Sequence, residues 1–377
     1  MIDCLAGVRV LDFTQYLAGP TCTQTLADLG ADVVKVEPPA GDAARAWGPP
    51  FRGGDAALFR AVNHGKRSVV LDLSEDAGLQ AALALAASAD VLVESFRPGV
   101  MDRLGLGAEA LTTRHPALVY VSISAYGGRG YLGAEPGFDA LIQAHAGIVS
   151  VTGPPGHPVR AGVSVVDTGT ALWAVIGILG GLRERERTGR GGHLRASLFE
   201  AALAYNAYHI AGFLADGTVA RPRGNAFPLI APYGEFPTLD GRIVIAPAND
   251  RLFQRLCRVL DLEEEARDER FGTNPARLAA RDELDRAVAA ATSARTTAEL
   301  LRDLRRAGVP CAPVLDIREV CADAQTRESG VLVGDRVLPP FTWDGRRPGV
   351  AGAVPGLGEH DAGVAEDARS WRNDGDS

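Results

Sequence analysis

The sequence predicts an α/β protein in which a large domain, built on a mostly parallel sheet, is accompanied by a smaller α+β domain. Three observations carry this. Short apolar runs rich in β-branched residues recur through the first half, as in Val33-Val-Lys-Val-Glu37, Asp90-Val-Leu-Val-Glu94 and Leu118-Val-Tyr-Val-Ser-Ile-Ser124. Helical patterns separate them, so consecutive strands are joined by crossovers that make them parallel. Near Arg221 the texture changes, and Pro, Gly and aromatic residues cluster through Pro232-Tyr-Gly-Glu-Phe-Pro-Thr-Leu-Asp-Gly241.

In order, Val8–Phe13 reads as a strand, Thr21–Leu29 as a helix, and Val33–Glu37 and Ser68–Leu73 as strands. A helix over Gly78–Ser88 leads to the strand Asp90–Glu94. A helix near Ala108–Arg114 precedes the strand Leu118–Ser124. The apolar stretch Thr170–Leu182 reads as a buried helix whose end, Arg183-Glu-Arg-Glu-Arg187, places cations near the C-terminal dipole. Thr188-Gly-Arg-Gly-Gly192 breaks it, and a strand, His193–Ala196, and a helix, Leu198–Leu214, follow. Beyond Arg221 come a strand, Arg242–Ala246, and amphipathic helices over Leu252–Leu260, Ala279–Thr292 and Thr297–Ala307. Val309-Pro-Cys-Ala-Pro-Val-Leu315 is expected to lead the chain back. The expected division is therefore a large Rossmann-like domain over 1–195, a linker helix region over 196–224, a small domain over 225–310, and a return with a C-terminal tail over 311–377. The last dozen residues are expected to fray.

Bulk properties narrow the function. The 377 residues are 46% hydrophobic and 23% charged, and the net charge of −8 disfavours a nucleic-acid binder. The uncharged run Ala171–Leu182 is too short for the roughly 30 Å of a bilayer core, so no membrane span is expected. No secretory signal pattern opens the sequence. Five scattered cysteines without a C-x-x-C pair suit a reducing, cytoplasmic setting. Seven dispersed histidines give a metal site little support.

Familiar motifs fail on inspection. Gly128-Arg-Gly-Tyr-Leu-Gly133 matches a dinucleotide fingerprint, but Ala134-Glu-Pro-Gly137 follows where a helix must start. A glycine-rich loop, flexible enough to cover a site, is the better reading. Gly65-Lys-Arg-Ser68 resembles the end of a phosphate loop, yet Arg60 stands at the first glycine. No G-x-S-x-G is present.

Asp167 is the one charged residue between Arg160 and Arg183. A carboxylate in such a stretch needs a reason, because burying it unpaired costs several kcal/mol. Asp167 or Ser164 would cap the following helix, or Asp167 would pair with Arg160. Alternatively it is a carboxylate nucleophile, which turns an acyl group into a mixed anhydride. Small neighbours, Gly162 and Gly169, would then admit a substrate carbonyl, and backbone N–H groups would meet the oxyanion. Periodicity alone leaves these readings open.

An ordered series of segments resembles the class III coenzyme A transferases, the group containing formyl-CoA and carnitine CoA-transferases. It runs through Leu5-Ala-Gly-Val-Arg-Val-Leu-Asp-Phe-Thr14, Ala18-Gly-Pro20, Leu26–Pro38, Lys66-Arg-Ser68, Leu71-Asp-Leu73 and Asp90–Gly99. It continues through Arg160-Ala-Gly-x-x-x-x-Asp167, Arg187-Thr-Gly-Arg-Gly191, Ala231–Phe236 and Pro355-Gly-Leu-Gly-Glu-His360. The resemblance implies that Asp167 is the nucleophile, with acyl-aspartyl anhydride and aspartyl-CoA thioester intermediates. It implies acyl-CoA and a carboxylic acid as substrates, no cofactor beyond CoA, and an interlocked homodimer whose chains thread through each other. Gln15 and Asp139 match positions lining the active site. Leu17, Ala18, Leu71, Asp72, Leu73, Ser74, Ser95, Phe96, Arg97 and Arg103 match the CoA-binding region, with Arg103 toward the phosphates. Pro38, Pro136 and Leu17 depart from some members, so phosphate and substrate contacts differ in detail. The superfamily also includes α-methylacyl-CoA racemases, which use a histidine where this chain has Phe138. Phenylalanine carries no proton, which weakens that rival. His145, seven residues on, reads as a packed helix histidine. A CoA-ester-binding protein without transferase activity is the other alternative.

Overall fold

The computed structural model describes residues 3–363; the tail expected to fray, 366–377, lies outside the described residues. The chain forms two compact units. The larger takes residues up to Ile148, Ala161–Thr218, and the chain from Arg327 onward.

Its centre is a six-stranded sheet, every neighbouring pair parallel. Its elements in chain order are β1 (Arg9–Phe13), α1 (Ala18–Asp28), β2 (Asp32–Glu37), β3 (Arg67–Val70), α2 (Asp76–Ala86), β4 (Val91–Glu94), α3 (Ala108–Arg114), β5 (Val119–Ser124), α4 (Asp139–His145), α5 (Val165–Thr188), β6 (Gly192–Ser197), α6 (Leu198–Tyr205) and α7 (Ala207–Asp216). The spatial order is β3-β2-β1-β4-β5-β6. Strands covered on both faces must be apolar nearly throughout, and Val10, Leu11, Val33, Val34, Val91, Leu92 and Val121 are buried. One core lies under α1 and α5, the other under α2 and α3.

Helix α5 is longer than the apolar run predicts. It takes in Val165 and Val166 at one end and the Arg-Glu-Arg-Glu-Arg segment at the other, and stops at Gly189 with φ 72°. Its inward face, including Val166, Ala171, Ala174, Ile178 and Leu182, is buried. Its outward face, Leu172, Trp173, Ile176 and Leu179, is exposed, so the expected buried helix is buried on one side only. By length and composition, α5 could cross a membrane. The stretch expected as one helix, Leu198–Leu214, is two, interrupted at Asn206, whose side chain donates to the Ala146 carbonyl at 2.8 Å.

The smaller unit comprises Val149–Arg160 and Val219–Thr326. It contains an antiparallel sheet of β7 (Gly234–Pro237), β8 (Arg242–Ile245) and β9 (Cys311–Pro313), with β8 central. Helices α8 (Asp250–Val259), α9 (Arg281–Ser293) and α10 (Thr297–Arg306) contribute Phe253, Leu256, Leu284, Val288, Leu300 and Leu304 to its core. These boundaries differ from the expected ones in three places. Residues 196–218 belong to the large unit instead of forming a linker. The chain returns at Arg327 and not at 311, because Cys311–Pro313 pairs with β8. Val149–Arg160 joins the small unit, where the Gly153 carbonyl accepts the Gly224 N–H at 2.7 Å.

Candidate active site

In an open parallel sheet, ligands settle outside the carboxyl ends of the strands where the strand order reverses. Here that point lies between β1 and β4. The chain leaving β1 supplies Gln15, Leu17 and Ala18, and the chain leaving β4 supplies Ser95, Phe96 and Arg97. The two exits touch: the Gln15 N–H donates to Ser95 Oγ at 3.3 Å. Leu17 is the N-cap of α1 and offers no side-chain acceptor to the helix start. Gly19 is required next, because a Cβ there would overlap the Thr14 side chain.

Leu71, Asp72, Leu73 and Ser74 follow β3, where a strand through Leu73 was expected. The ladder ends at Val70, and Asp72 turns the chain by accepting the Ser74 N–H at 3.0 Å and its hydroxyl at 2.6 Å. Those bonds hold the Asp72 carboxyl below its usual range. Leu71, Leu73 and Phe96 rest against the second core. Arg97 and Arg103 are exposed, and neither side chain has an ion pair among the described residues. Arg97 and Phe96 line a cavity of about 530 Å³ together with Glu94, Ser122, His193 and Arg195. Burial, aided by the Arg195 charge, pulls His193 down to about 4.

Asp167 lies in the first turn of α5, and its N–H donates to Asp139 at 3.3 Å. Asp139, itself buried in the first turn of α4, also accepts the Val166 N–H at 2.9 Å and the Gln143 side-chain amide. The cap of α5 is therefore Asp139, and neither Ser164 nor Asp167 caps it. The Asp167 carboxylate has no hydrogen bond or ion pair among the described residues. Burial, then repulsion from Asp139, pushes it up to about 7. Two carboxylates share one helix start: three N–H donors hold Asp139, and Asp167 has none among the described residues.

The structure narrows one expectation about its surroundings and corrects another. The N–H groups of Val166 and Asp167 go to Asp139, and those of Val165 and Thr168 to the carbonyls of Val163 and Ser164. The start of α5 thus has no N–H left for an oxyanion. Gly169 does not open space for substrate, because a Cβ there would overlap the Tyr205 ring. Gly162, by contrast, faces open space.

A family model described as CoA-transferase family III matches residues 5–361. The chain belongs to this family. It is 40% identical over 330 residues to an acetyl-CoA:oxalate CoA-transferase of Acetobacter aceti, covering 87% of this chain and 85% of that one. It is 38% identical over 337 residues to a succinate–glutarate CoA-transferase of Agrobacterium fabrum, with 87% and 84% covered. A crystal structure of a CaiB/BaiF family protein from Brucella suis superposes with a TM-score of 0.89 at 37% identity, covering 98% of this chain and all of that one.

In this family III chain, sequence reasoning missed an aromatic group beside the carboxylates. Tyr16, Trp47 and Phe138 have ring centroids 4.8 to 6.1 Å apart, and Phe138 immediately precedes Asp139. Nothing in the local sequence signals a cluster assembled from three distant turns. His145 meets Tyr126 edge-on and Phe199 at a tilt but is exposed, so it is not the packed helix histidine expected.

Proposed function

We propose that this family III protein moves CoA from an acyl-CoA to a carboxylic acid, with Asp167 as the nucleophile. The observation that carries the reading is the unpartnered Asp167 carboxylate beside the hydrogen-bonded Asp139. A carboxylate with a raised pKa is a stronger nucleophile once ionised. An Asp167 oxygen attacks the thioester carbonyl, the C–S bond breaks, and CoA leaves as thiolate. The thiolate attacks the Asp167 carboxyl carbon of the anhydride, and the donor acid departs with the cleaved oxygen. The acceptor carboxylate attacks the aspartyl-CoA thioester, forming a second anhydride and releasing thiolate. Thiolate attack on the acceptor's carbonyl then gives the new acyl-CoA and restores Asp167. Each step exchanges one activated carbonyl for another, so no cofactor beyond CoA is called for.

The exits from β1, β3 and β4 and the unpaired Arg97 and Arg103 support CoA at the switch point, with guanidinium groups toward phosphate. The bacterial relatives described above carry the names of oxalate, succinate and glutarate in their activities, so dicarboxylic acids are the first acceptors to assay. Phe138, which cannot transfer a proton, argues against the racemase reading. Family resemblance, with the exposed Leu172, Trp173, Ile176 and Leu179 face of α5, supports an interlocked homodimer in the cytoplasm rather than a membrane span.

Incubating the protein with acyl-CoA and hydroxylamine or borohydride, then mapping peptides by mass spectrometry, tests this directly. Asp167 is expected to carry the modification, and Asp167→Ala to lose transfer by at least about a thousandfold. Transfer that survives in Asp167→Ala sinks the reading. CoA binding with no trapped intermediate favours a binding protein, and solvent deuterium entering the α-carbon favours a racemase.

A further inference from the structure

The turn that carries Gln15 out of β1 is built in a disfavoured shape. Tyr16 stands at φ 70°, in the left-handed region where a bulky side chain crowds its own backbone. Such a residue persists only where its surroundings enforce it. The enforcement comes from buried charge under the sheet's carboxyl edge. Lys35 of β2 and Asp42 form an ion pair, Nζ to Oδ2 at 2.9 Å, with both side chains fully buried. Lys35 Nζ also donates to the Thr14 carbonyl at 2.7 Å. Asp42 Oδ1 accepts the N–H of Tyr16 at 3.2 Å and that of Ala44 at 2.9 Å.

The Thr14 carbonyl and the Tyr16 N–H belong to the two peptide groups on either side of Gln15. The two ends of one ion pair therefore grip the chain just before and just after it. Neighbouring bonds fix the grip in place. Asp42 donates its own N–H to Glu37 at 2.9 Å, and Glu37 is bound by Arg45 at 2.7 Å. Asp12 accepts the Thr14 N–H at 2.8 Å and pairs with buried Lys66 at 3.2 Å. Stability alone is a poor reason for such charges, because a buried ion pair seldom outperforms an apolar pair of the same volume.

We propose that Lys35 and Asp42 are positioning residues that hold the Thr14–Leu17 turn, and with it Gln15, in the shape the transfer reaction needs. The inference rests on the proposed function, with Asp167 as nucleophile, and on the expected place of Gln15 in the active-site lining. Neither Lys35 nor Asp42 touches substrate; both act through the turn.

The decisive variant is Lys35→Met/Asp42→Leu, which keeps volume and removes both charges, a change folded proteins commonly tolerate. It is expected to melt near the wild-type temperature, with kcat reduced at least about tenfold and KM for acyl-CoA changed less than about threefold. A folded double variant with kcat within about threefold of wild type overturns the proposal. Hydrogen exchange on the wild-type protein needs no variant to fold. The Tyr16 amide should be strongly protected, and exchange as fast as in exposed loops removes the basis of the idea. Trapping at Asp167 separates this inference from the reading beneath it. No label on the wild type defeats the proposed function, whereas equal labelling rates in wild type and double variant defeat only the positioning role.

Discussion

Asp167 and Asp139 sit at the same helix start and are treated oppositely by their surroundings. Asp139 receives three N–H donors; Asp167 receives none among the described residues, and burial, then repulsion from Asp139, pushes its pKa up to about 7. On the proposed mechanism Asp167 must be ionised, so kcat/KM is expected to fall as pH drops through about 7, with the acid limb belonging to Asp167 in the free enzyme. Asp139→Asn keeps an oxygen for the helix N–H groups but removes the neighbouring charge. That relieves the repulsion, so the acid limb should move to lower pH; an unmoved limb in a pH–rate series would show that burial alone sets it. The lone charge at 167 was legible from the sequence. Its freedom from capping was not, because the cap is delivered from 28 residues away. The aromatic trio was hidden for the same reason.

At the scale of elements, α5 is positioned by close approach as well as by hydrophobicity. Gly169 lets the Tyr205 ring of α6 settle against the helix one turn beyond its start. Gly169→Val forces those groups apart and is expected to cost about 1–3 kcal/mol in urea unfolding, with the loss smaller in a Tyr205→Ala background. Equal losses in both backgrounds would mean that the strain lies elsewhere. The alternation of strands and helices was readable because strands covered on both sides must be apolar nearly throughout, as at Val91–Val93, and at Val33–Val36 apart from Lys35. Ends were harder. The charged run after Leu182 continues the helix because i,i+3 pairs such as Arg183–Glu186 and Glu184–Arg187 suit helical spacing. The break at Asn206 depends on a bond to Ala146, 60 residues earlier.

At the scale of the whole molecule, the exposed apolar side of α5 and a helix α7 with no buried residue leave more greasy surface than scattered single residues would. A homodimer is expected, with light scattering giving twice the chain mass; a single-chain mass at micromolar concentration counts against it. The parallel large domain and the smaller mixed one followed from composition and periodicity. The division of the large unit among three stretches did not, since no local pattern says that Arg336 will lie against Asp28. That contact spans 308 residues and joins buried groups. During synthesis, Asp28 waits for its cation until 308 further residues have been made. Until then α1, which starts just after the Thr14–Leu17 turn, ends on a carboxylate without its cation. The protein is thus expected to gain its working shape only once both ends of this long-range pair have been made, with folding paced by its most distant partners.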